Sequence, residues 1–161
     1  MLAKLIGSVR RNHALEHATI SVLMGRLGPD TRLMGRATAN GFYVYGDIPS
    51  EELAESAEQG LKRLQRGESG LAVSPLCGTN LAVAGVMAGL ASTVSSGHRG
   101  RWERLPGVLL ACMLAVLAAQ PLGRLVQKYV TTSPDLNDVE IIGVHSGGRR
   151  GRVYKVETAR K

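Results

Sequence analysis

The sequence predicts an α+β fold: a small helix-and-antiparallel-sheet head with a two-helix transmembrane hairpin inserted before a C-terminal β-hairpin. Three observations predict this arrangement. Two long runs without charged side chains lie in the middle of a chain in which 20% of residues are charged. An amphipathic helical pattern opens the chain. Short β-prone runs separated by turn residues lie on both sides of the apolar runs.

The two apolar runs predict the transmembrane hairpin. Residues 69–97 and residues 105–123 contain no Asp, Glu, Lys, Arg or His, and about 20 largely apolar helical residues are enough to cross a bilayer. Small residues recur at every fourth position, a spacing typical of membrane helices that pack closely: Gly85, Gly89, Ala111, Ala115 and Ala119. The pattern favours membrane helices over a buried soluble hairpin, and the position of the runs argues against a signal peptide.

The basic residues around the hairpin predict its orientation. Five of them flank it on the side of the chain termini, against three arginines in the basic link at residues 98–104. Because cytoplasmic loops are enriched in Lys and Arg, we expect a multi-pass protein of the bacterial plasma membrane with both termini in the cytoplasm.

The net charge of +7 favours a lipid surface over nucleic acid as a partner. The basic excess lies beside the apolar runs and in the C-terminal tail, where it would attract anionic headgroups. Aromatic residues make up 4% of the chain, which leaves few platforms for stacking bases. Cys77 and Cys112 both fall within the charge-free runs, so no disulfide framework is expected.

Residues 2–27 predict the first helix of the head, which we expect to cover residues 1–73. Its apolar side chains fall on one arc of a helical wheel: Leu2, Ile6, Val9, Ile20, Leu23, Met24 and Leu27. Lys4, Val22 and Arg26 fall on the opposite side, and the Gly-Pro-Asp sequence at 28–30 ends the helix.

The rest of the head is predicted to be a β-hairpin followed by a second helix. The Asn40-Gly41 pair lies between two β-prone runs, 32–39 and 42–48, and indicates a tight turn. Ser50 is expected to cap the second helix, which ends before Gly67. Its apolar residues recur at helical spacing: Leu53, Ala57, Leu61 and Leu64.

The predicted transmembrane hairpin covers residues 74–123, and the sequence after it returns to a soluble pattern. Residues 139–144 and 152–157 are β-prone and flank a Gly- and Arg-rich turn at 147–151. We expect residues 124–161 to form a β-hairpin and basic tail that pack on the head and complete its sheet.

His13, Glu16 and His17 carry the most informative motif. On a helix the two imidazoles lie one turn apart on the same face, the spacing that lets both bind one metal ion. The helical wheel places all three residues inside the apolar arc, and burying unsatisfied polar groups costs several kcal/mol. They therefore need a partner, either a metal ion or a hydrogen-bond network of backbone carbonyls and an arginine.

A catalytic metal site needs a third ligand, and a zinc site is the chemistry this pattern favours. Cys77, in the Cys-Gly-Thr-Asn sequence at 77–80, is the preferred candidate because thiolate binds zinc well. Glu68 is the carboxylate alternative. His98 and His145 are expected to be too far away or solvated, and Cys112 to be a packing residue.

Two resemblances follow from these motifs. The sequences Arg-Asn-His-Ala-Leu-Glu-His-Ala-Thr at 11–19, Gly-Phe-Tyr-Val-Tyr-Gly at 41–46 and Cys-Gly-Thr-Asn at 77–80 resemble a family of uncharacterised bacterial membrane proteins, a domain of unknown function. That resemblance implies membrane residence and no established activity. The His-x-x-Glu-His order resembles that of inverzincin metallopeptidases, which implies histidine ligands and a glutamate base.

The sequence thus supports two main functions, besides the possibility of a sensor that binds metal without turnover. One is a membrane-anchored zinc-dependent hydrolase, most simply a peptidase, with His13, His17 and Cys77 as metal ligands and Glu16 as catalytic base. The other is a non-enzymatic membrane adaptor that binds a partner protein or anionic lipid, with the histidines and Glu16 as a structural polar cluster.

Overall fold

The computed structural model describes residues 1–28, 30–94, 101–147 and 152–161. For residues 101–104 it describes the backbone and not the side chains. Residues 98–100 of the predicted basic link, which include His98, and residues 148–151 of the predicted turn lie outside the described residues. The chain forms two compact units, Met1–Ser74 with Lys128–Lys161, and Pro75–Gln127. The α+β class predicted from the sequence is confirmed.

The first unit, the head, contains two long helices, a short 3₁₀ turn (Ser69–Ala72) and four strands. Their bounds are α1 Leu2–Leu27, β1 Met34–Thr38, β2 Gly41–Tyr45, α2 Ser50–Gln65, β3 Val139–Gly147 and β4 Val153–Arg160. The strands form one antiparallel sheet in the order β1-β2-β4-β3. The C-terminal hairpin therefore completes the sheet begun by β1 and β2, as the sequence predicts.

The first β-hairpin turns one residue earlier than its Asn-Gly pair indicates. Thr38 pairs with Gly41, so Ala39 and Asn40 form the loop and Gly41 begins β2 with a φ of 132°. A β-carbon on Gly41 would overlap the carbonyl oxygen of Val156 in β4. The glycine is needed because a second strand approaches it closely, and not because it occupies the turn.

The core lies where α1 and α2 cover one face of the sheet. The predicted apolar residues of α2 are all buried, and the largest fully buried side chains include Leu15, Leu23, Phe42 and Val156. The helix begins at Ser50 without a side-chain cap, so the prediction of Ser50 as the N-cap is wrong. Pro49 precedes the helix instead and fixes an extended entry into its first turn.

The predicted apolar arc of α1 is correct at Leu23 and wrong at the start of the helix. Leu2 and Ile6 are exposed, and Val22, predicted to lie on the opposite side, is buried. The centre of α1 is contacted by α2, by β1 and β2 and by the 3₁₀ turn. Because several elements surround it, its middle turns are buried on more than one side.

The second unit is an antiparallel helical pair, α3 Gly78–Val94 and α4 Arg101–Val126, which continues in a π-helical turn, Gln127–Thr131. Near its centre the Cys112 thiol donates to the Ala88 carbonyl, 3.5 Å away. Where α3 begins and α4 ends, the Gln127 side-chain amide donates to Asn80 Oδ1 at 2.7 Å. Gln127 and Asn80 are both buried.

The small-residue stripe predicted from the sequence is wrong on α3 and agrees with the structure at Ala119 on α4. Gly85 and Gly89 are exposed, and a β-carbon on either would meet no atom within 4 Å. The contact buries Ala84 of α3 together with Ala119 and packs Gly123 against Asn80. The buried amide pair sets this register, because polar side chains between apolar helices must bond each other.

Among the described helices, one is long and apolar enough to cross a membrane. It is the continuous helical stretch Leu105–Thr131, which has 27 residues. The other apolar helix, Gly78–Val94, has 17 residues and falls short of that length. The sequence predicted two membrane spans. Among the described helices the second predicted span is long enough to cross a membrane, and the first is too short by this criterion.

A substitution at Gly60 tests how closely the two head helices pack. A β-carbon there would lie 3.1 Å from the Thr19 amide nitrogen and 3.2 Å from the Ala18 β-carbon. We expect Gly60→Leu to lower the free energy of unfolding by about 1–3 kcal/mol, because α1 and α2 must separate. Gly25→Leu is the matched control, since a β-carbon on that exposed helical glycine meets nothing within 4 Å. Urea unfolding followed by circular dichroism would measure both, and equal costs would contradict the close crossing.

Candidate metal centre

His13 and His17 lie side by side on the central turns of α1. They are four residues apart in a regular helix, so their side chains leave the same face. Their ring centroids are 4.4 Å apart and the rings are inclined at 60°. His17 is buried and His13 half-buried. The prediction that the two imidazoles share one face is confirmed by this geometry.

A backbone carbonyl orients each imidazole. His17 Nδ1 lies 2.8 Å from the Ala72 carbonyl oxygen, and His13 Nδ1 lies 3.0 Å from the Thr131 carbonyl oxygen. A carbonyl only accepts hydrogen bonds, so each Nδ1 carries the proton and the lone pair of the neutral ring is on Nε2. Histidines that bind metals through Nε2 commonly donate Nδ1–H to a carbonyl in this way.

The two carbonyls come from distant parts of the chain. Ala72 ends the 3₁₀ turn after α2, and Thr131 ends the π-helical turn after α4. Arg10, one turn before His13, holds the second segment: its Nη2 donates to the carbonyls of Tyr129 and Thr132 at 3.0 Å each. The sequence offered no signal for Arg10, because its partners are main-chain atoms about 120 residues away.

Glu16 is buried beside the histidines, with Oε2 3.9 Å from His13 Nε2. Its carboxylate packs directly against Gly35 of β1, where a β-carbon would overlap the Glu16 side chain. Gly35 therefore provides the space that the carboxylate occupies. A glycine within a β-prone run often marks such a close approach, and this signal was missed.

Asn12 fixes the rotation of α1 on the sheet. Its Nδ2 donates to the Thr38 carbonyl of β1 at 2.8 Å, and its Oδ1 accepts from the Thr158 hydroxyl of β4 at the same distance. Both partners of Asn12 are distant in the chain, so no local sequence pattern indicates its role. Because this buried amide is bonded to two strands, it holds α1 in one rotation. That rotation sets the direction in which the adjacent His13 side chain leaves the helix.

Cys77 is the third ligand expected from the sequence. It immediately precedes α3 in the second unit, and its Sγ accepts a hydrogen bond from the Thr79 amide at 3.4 Å. A backbone N–H at the sulfur stabilises a thiolate, the form that binds metals.

The residue types connect these side chains to metal chemistry. Two imidazoles and one thiolate match the ligands of some catalytic zinc sites, which keep a fourth position open.

The other residues considered from the sequence lie elsewhere. Glu68 Oε2 pairs with Arg63 Nη2 at 2.6 Å, and this guanidinium lowers the pKa of the Glu68 carboxyl. The Glu68 carboxylate is thus engaged in an ion pair with Arg63. His145 is largely exposed and lies 3.6 Å from Glu157, as expected of a solvated residue, and Cys112 bonds within the helical pair.

Comparison with known proteins places the chain in a family. It belongs to the family described as Domain of unknown function (DUF6391), which matches residues 8–144 and so includes all four predicted site residues. An uncharacterized protein of Picosynechococcus sp. (strain ATCC 27264 / PCC 7002 / PR-6) is 32% identical over 142 residues, 80% of this chain and 68% of that protein. No solved structure matches. The resemblance to an uncharacterised family is confirmed, and neither description names an activity.

The contact between Gly35 and Glu16 can be tested with a double-mutant cycle. Gly35→Ala should lower the free energy of unfolding by about 1–3 kcal/mol, because the added methyl displaces the buried carboxylate. In a Glu16→Ala background the same change should cost less, with a coupling energy of about 0.5–3 kcal/mol. Urea denaturation of the four proteins measures the cycle, and additive effects would show that the two residues are not in contact.

Proposed function

We propose that this protein is a membrane-anchored, zinc-dependent hydrolase, most simply a peptidase. The observation that carries the proposal is the pair of imidazoles of His13 and His17, whose ring centroids lie 4.4 Å apart and whose Nδ1 atoms each bond a backbone carbonyl. The buried carboxylate of Glu16 supplies the base that such a reaction needs.

In this proposal the two imidazoles would hold zinc through Nε2, and Cys77, the third ligand favoured by the sequence, would hold it as the thiolate. The carbonyls of Ala72 and Thr131 keep both rings in the required tautomer. Zinc at this position would supply Lewis acidity and activate a water molecule in its open fourth position.

Glu16 acts as the proton carrier. Its Oε2 lies 3.9 Å from His13 Nε2, which places it beside any ion that this nitrogen binds. It would take a proton from the attacking water and return it to the leaving amine of a cleaved peptide bond. General acid–base catalysis of this kind contributes about 10²–10⁴-fold in rate.

The membrane anchor is the second part of the proposal. The stretch Leu105–Thr131 has 27 residues, and a helix of that length spans about 40 Å, more than the hydrocarbon core of about 30 Å. Only 6% of its most apolar window is buried, whereas the core helix of a soluble protein would be mostly buried. Lipid would cover the exposed side.

The shorter helix α3 would cross the membrane beside α4. Both helices expose large apolar side chains, which lipid would solvate: Leu81, Val86, Leu90, Leu109, Leu110, Met113, Leu114 and Leu117. Together they would form a hairpin anchor in the bacterial plasma membrane with both termini in the cytoplasm. The 17 residues of α3 span about 26 Å, a mismatch that local bilayer thinning accommodates.

The competing proposal is a non-enzymatic membrane adaptor for a partner protein or anionic lipid. It is supported by the hydrogen bonds from both imidazoles to backbone carbonyls, which satisfy one nitrogen of each ring without a metal. Under this proposal the residues around His13 are a structural polar cluster. Metal content and turnover distinguish the two proposals.

Metal analysis of the purified full chain is the first test. We expect about one zinc per chain. His13→Ala and His17→Ala should each weaken zinc binding by more than about ten-fold, since even outer-shell changes cost 10–100-fold. In the cobalt-substituted protein Cys77→Ser should remove the thiolate charge-transfer absorption. His145→Ala is the control, because that histidine is exposed and outside the cluster. A folded wild-type chain that binds no zinc would overturn the proposal.

Hydrolysis of a quenched fluorogenic peptide library in detergent micelles is the second test. Glu16→Gln should retain zinc and lower the rate by about 10²–10⁴-fold, because the amide cannot accept the proton. The control is Glu140→Gln, on the exposed side of β3. If Glu16→Gln and the wild type cleave equally fast, Glu16 is not the base.

A further inference from the structure

The N-terminal end of α1 is apolar and exposed. This segment, residues 1–6, is called the α1 tip. Leu2, Leu5 and Ile6 are 69%, 51% and 50% exposed. The sequence pattern placed Leu2 and Ile6 toward the core, yet the head leaves them uncovered. Three large apolar side chains on two consecutive helical turns form a surface that water solvates poorly.

The α1 tip itself carries positive charge and no negative charge. Lys4 lies within it, and no Asp or Glu precedes Glu16 in the sequence. Arg11, further along the helix, is close enough to Asp138 to help lower the pKa of that carboxyl. A helix end that combines exposed leucine and isoleucine with lysine has the composition of helices that lie at a bilayer surface. Anionic headgroups would complement this charge, whereas a neutral protein surface would not.

Hydrogen bonds link the helical turn that follows the α1 tip to the end of the candidate span. Arg10 lies one helical turn after Ile6 and donates to the carbonyls of Tyr129 and Thr132. The Arg10 carbonyl in turn accepts from the Ser133 amide at 3.0 Å. These bonds, all within the head unit, place α1 against the segment where the stretch Leu105–Thr131 ends.

The end of that stretch has the side chains of a membrane–water boundary. Tyr129 and Val130 are 64% and 62% exposed, and the Lys128 ammonium lies 5.3 Å from the centroid of the Tyr129 ring. Tyrosine and lysine are enriched where membrane helices leave the lipid. The exposed apolar surface of α1 thus begins beside a helix end suited to the same boundary.

We propose that the α1 tip lies in the headgroup region of a bilayer containing anionic lipid, with Leu2, Leu5 and Ile6 against the acyl chains. This inference rests on the proposed membrane anchor and is independent of the metal. His13 is seven residues beyond Ile6, about 10 Å along the helix. The candidate metal centre would therefore face peptide segments close to the membrane surface.

Tryptophan quenching in vesicles tests the position of the α1 tip. The single tryptophan is first removed by Trp102→Phe, and Leu5→Trp then places one reporter in the tip. Ile142→Trp is the matched control, because Ile142 is 64% exposed on β3. The full chain is reconstituted in phosphatidylcholine–phosphatidylglycerol vesicles that contain phosphatidylcholine brominated at shallow or deep acyl positions.

We expect shallow bromines to lower the emission of the reporter at position 5 by about two-fold and deep bromines to lower it less, as for an interfacial helix. The reporter at position 142 should stay unquenched. Emission at position 5 that is quenched no more than at position 142 overturns the inference. A blue-shifted but unquenched reporter at position 5 also overturns it, because a protein surface then covers the tip.

Flotation separates this inference from the proposed anchor. Chains that float with the vesicles after an alkaline carbonate wash retain the anchor, and the quenching then decides the α1 tip alone. Chains that do not float overturn both the anchor and the α1 tip. The zinc measurements on the same preparations are unaffected by either outcome.

Discussion

The head depends on the burial of polar side chains at the centre of α1. Asn12, Glu16 and His17 are buried there in a helix surrounded by apolar residues. Leaving a buried polar atom without a partner costs about 1–3 kcal/mol, so the rest of the head has to supply partners. The carbonyls of Thr38 and Ala72 do so for Asn12 and His17, and the carbonyl of Thr131 pairs with the half-buried His13. Hydrogen bonding to one helix thus fixes where the first hairpin, the 3₁₀ turn and the π-helical turn lie.

The same bonds give the site its chemical character. Carbonyl acceptors at both Nδ1 atoms leave the Nε2 lone pairs of the neutral rings in the form that binds metals. The space at Gly35 lets a carboxylate stay buried next to them. Arg10 contributes twice, because it secures the segment that orients His13 and brings α1 against the end of the apolar stretch. The stability of the head, the orientation of the two imidazoles and the proposed membrane contact therefore all depend on α1.

Local patterns predicted much of this. Spacing of four residues identified His13 and His17 as neighbours, and helical periodicity identified the buried face of α2. The β-prone runs at the C-terminus correctly indicated strands that complete the sheet. The errors share one cause. Leu2 and Ile6 fit the apolar arc but extend beyond the elements that cover the middle of α1, and Gly85 and Gly89 have small-residue spacing but face away from the partner helix.

The sequence by itself determined the elements and the candidate chemistry: an α+β class, two charge-free apolar runs that form a helical pair, and a His-x-x-Glu-His helix that needs partners. Those properties follow from periodicity and side-chain type, which act within a few turns of chain. Only the tertiary structure decided which residues pair with the buried polar side chains. The contacts of Gly35 with Glu16, of Ala72 with His17 and of Asn80 with Gln127 join residues far apart in sequence. Their register depends on packing and on satisfying buried polar atoms, and neither is encoded in a local pattern.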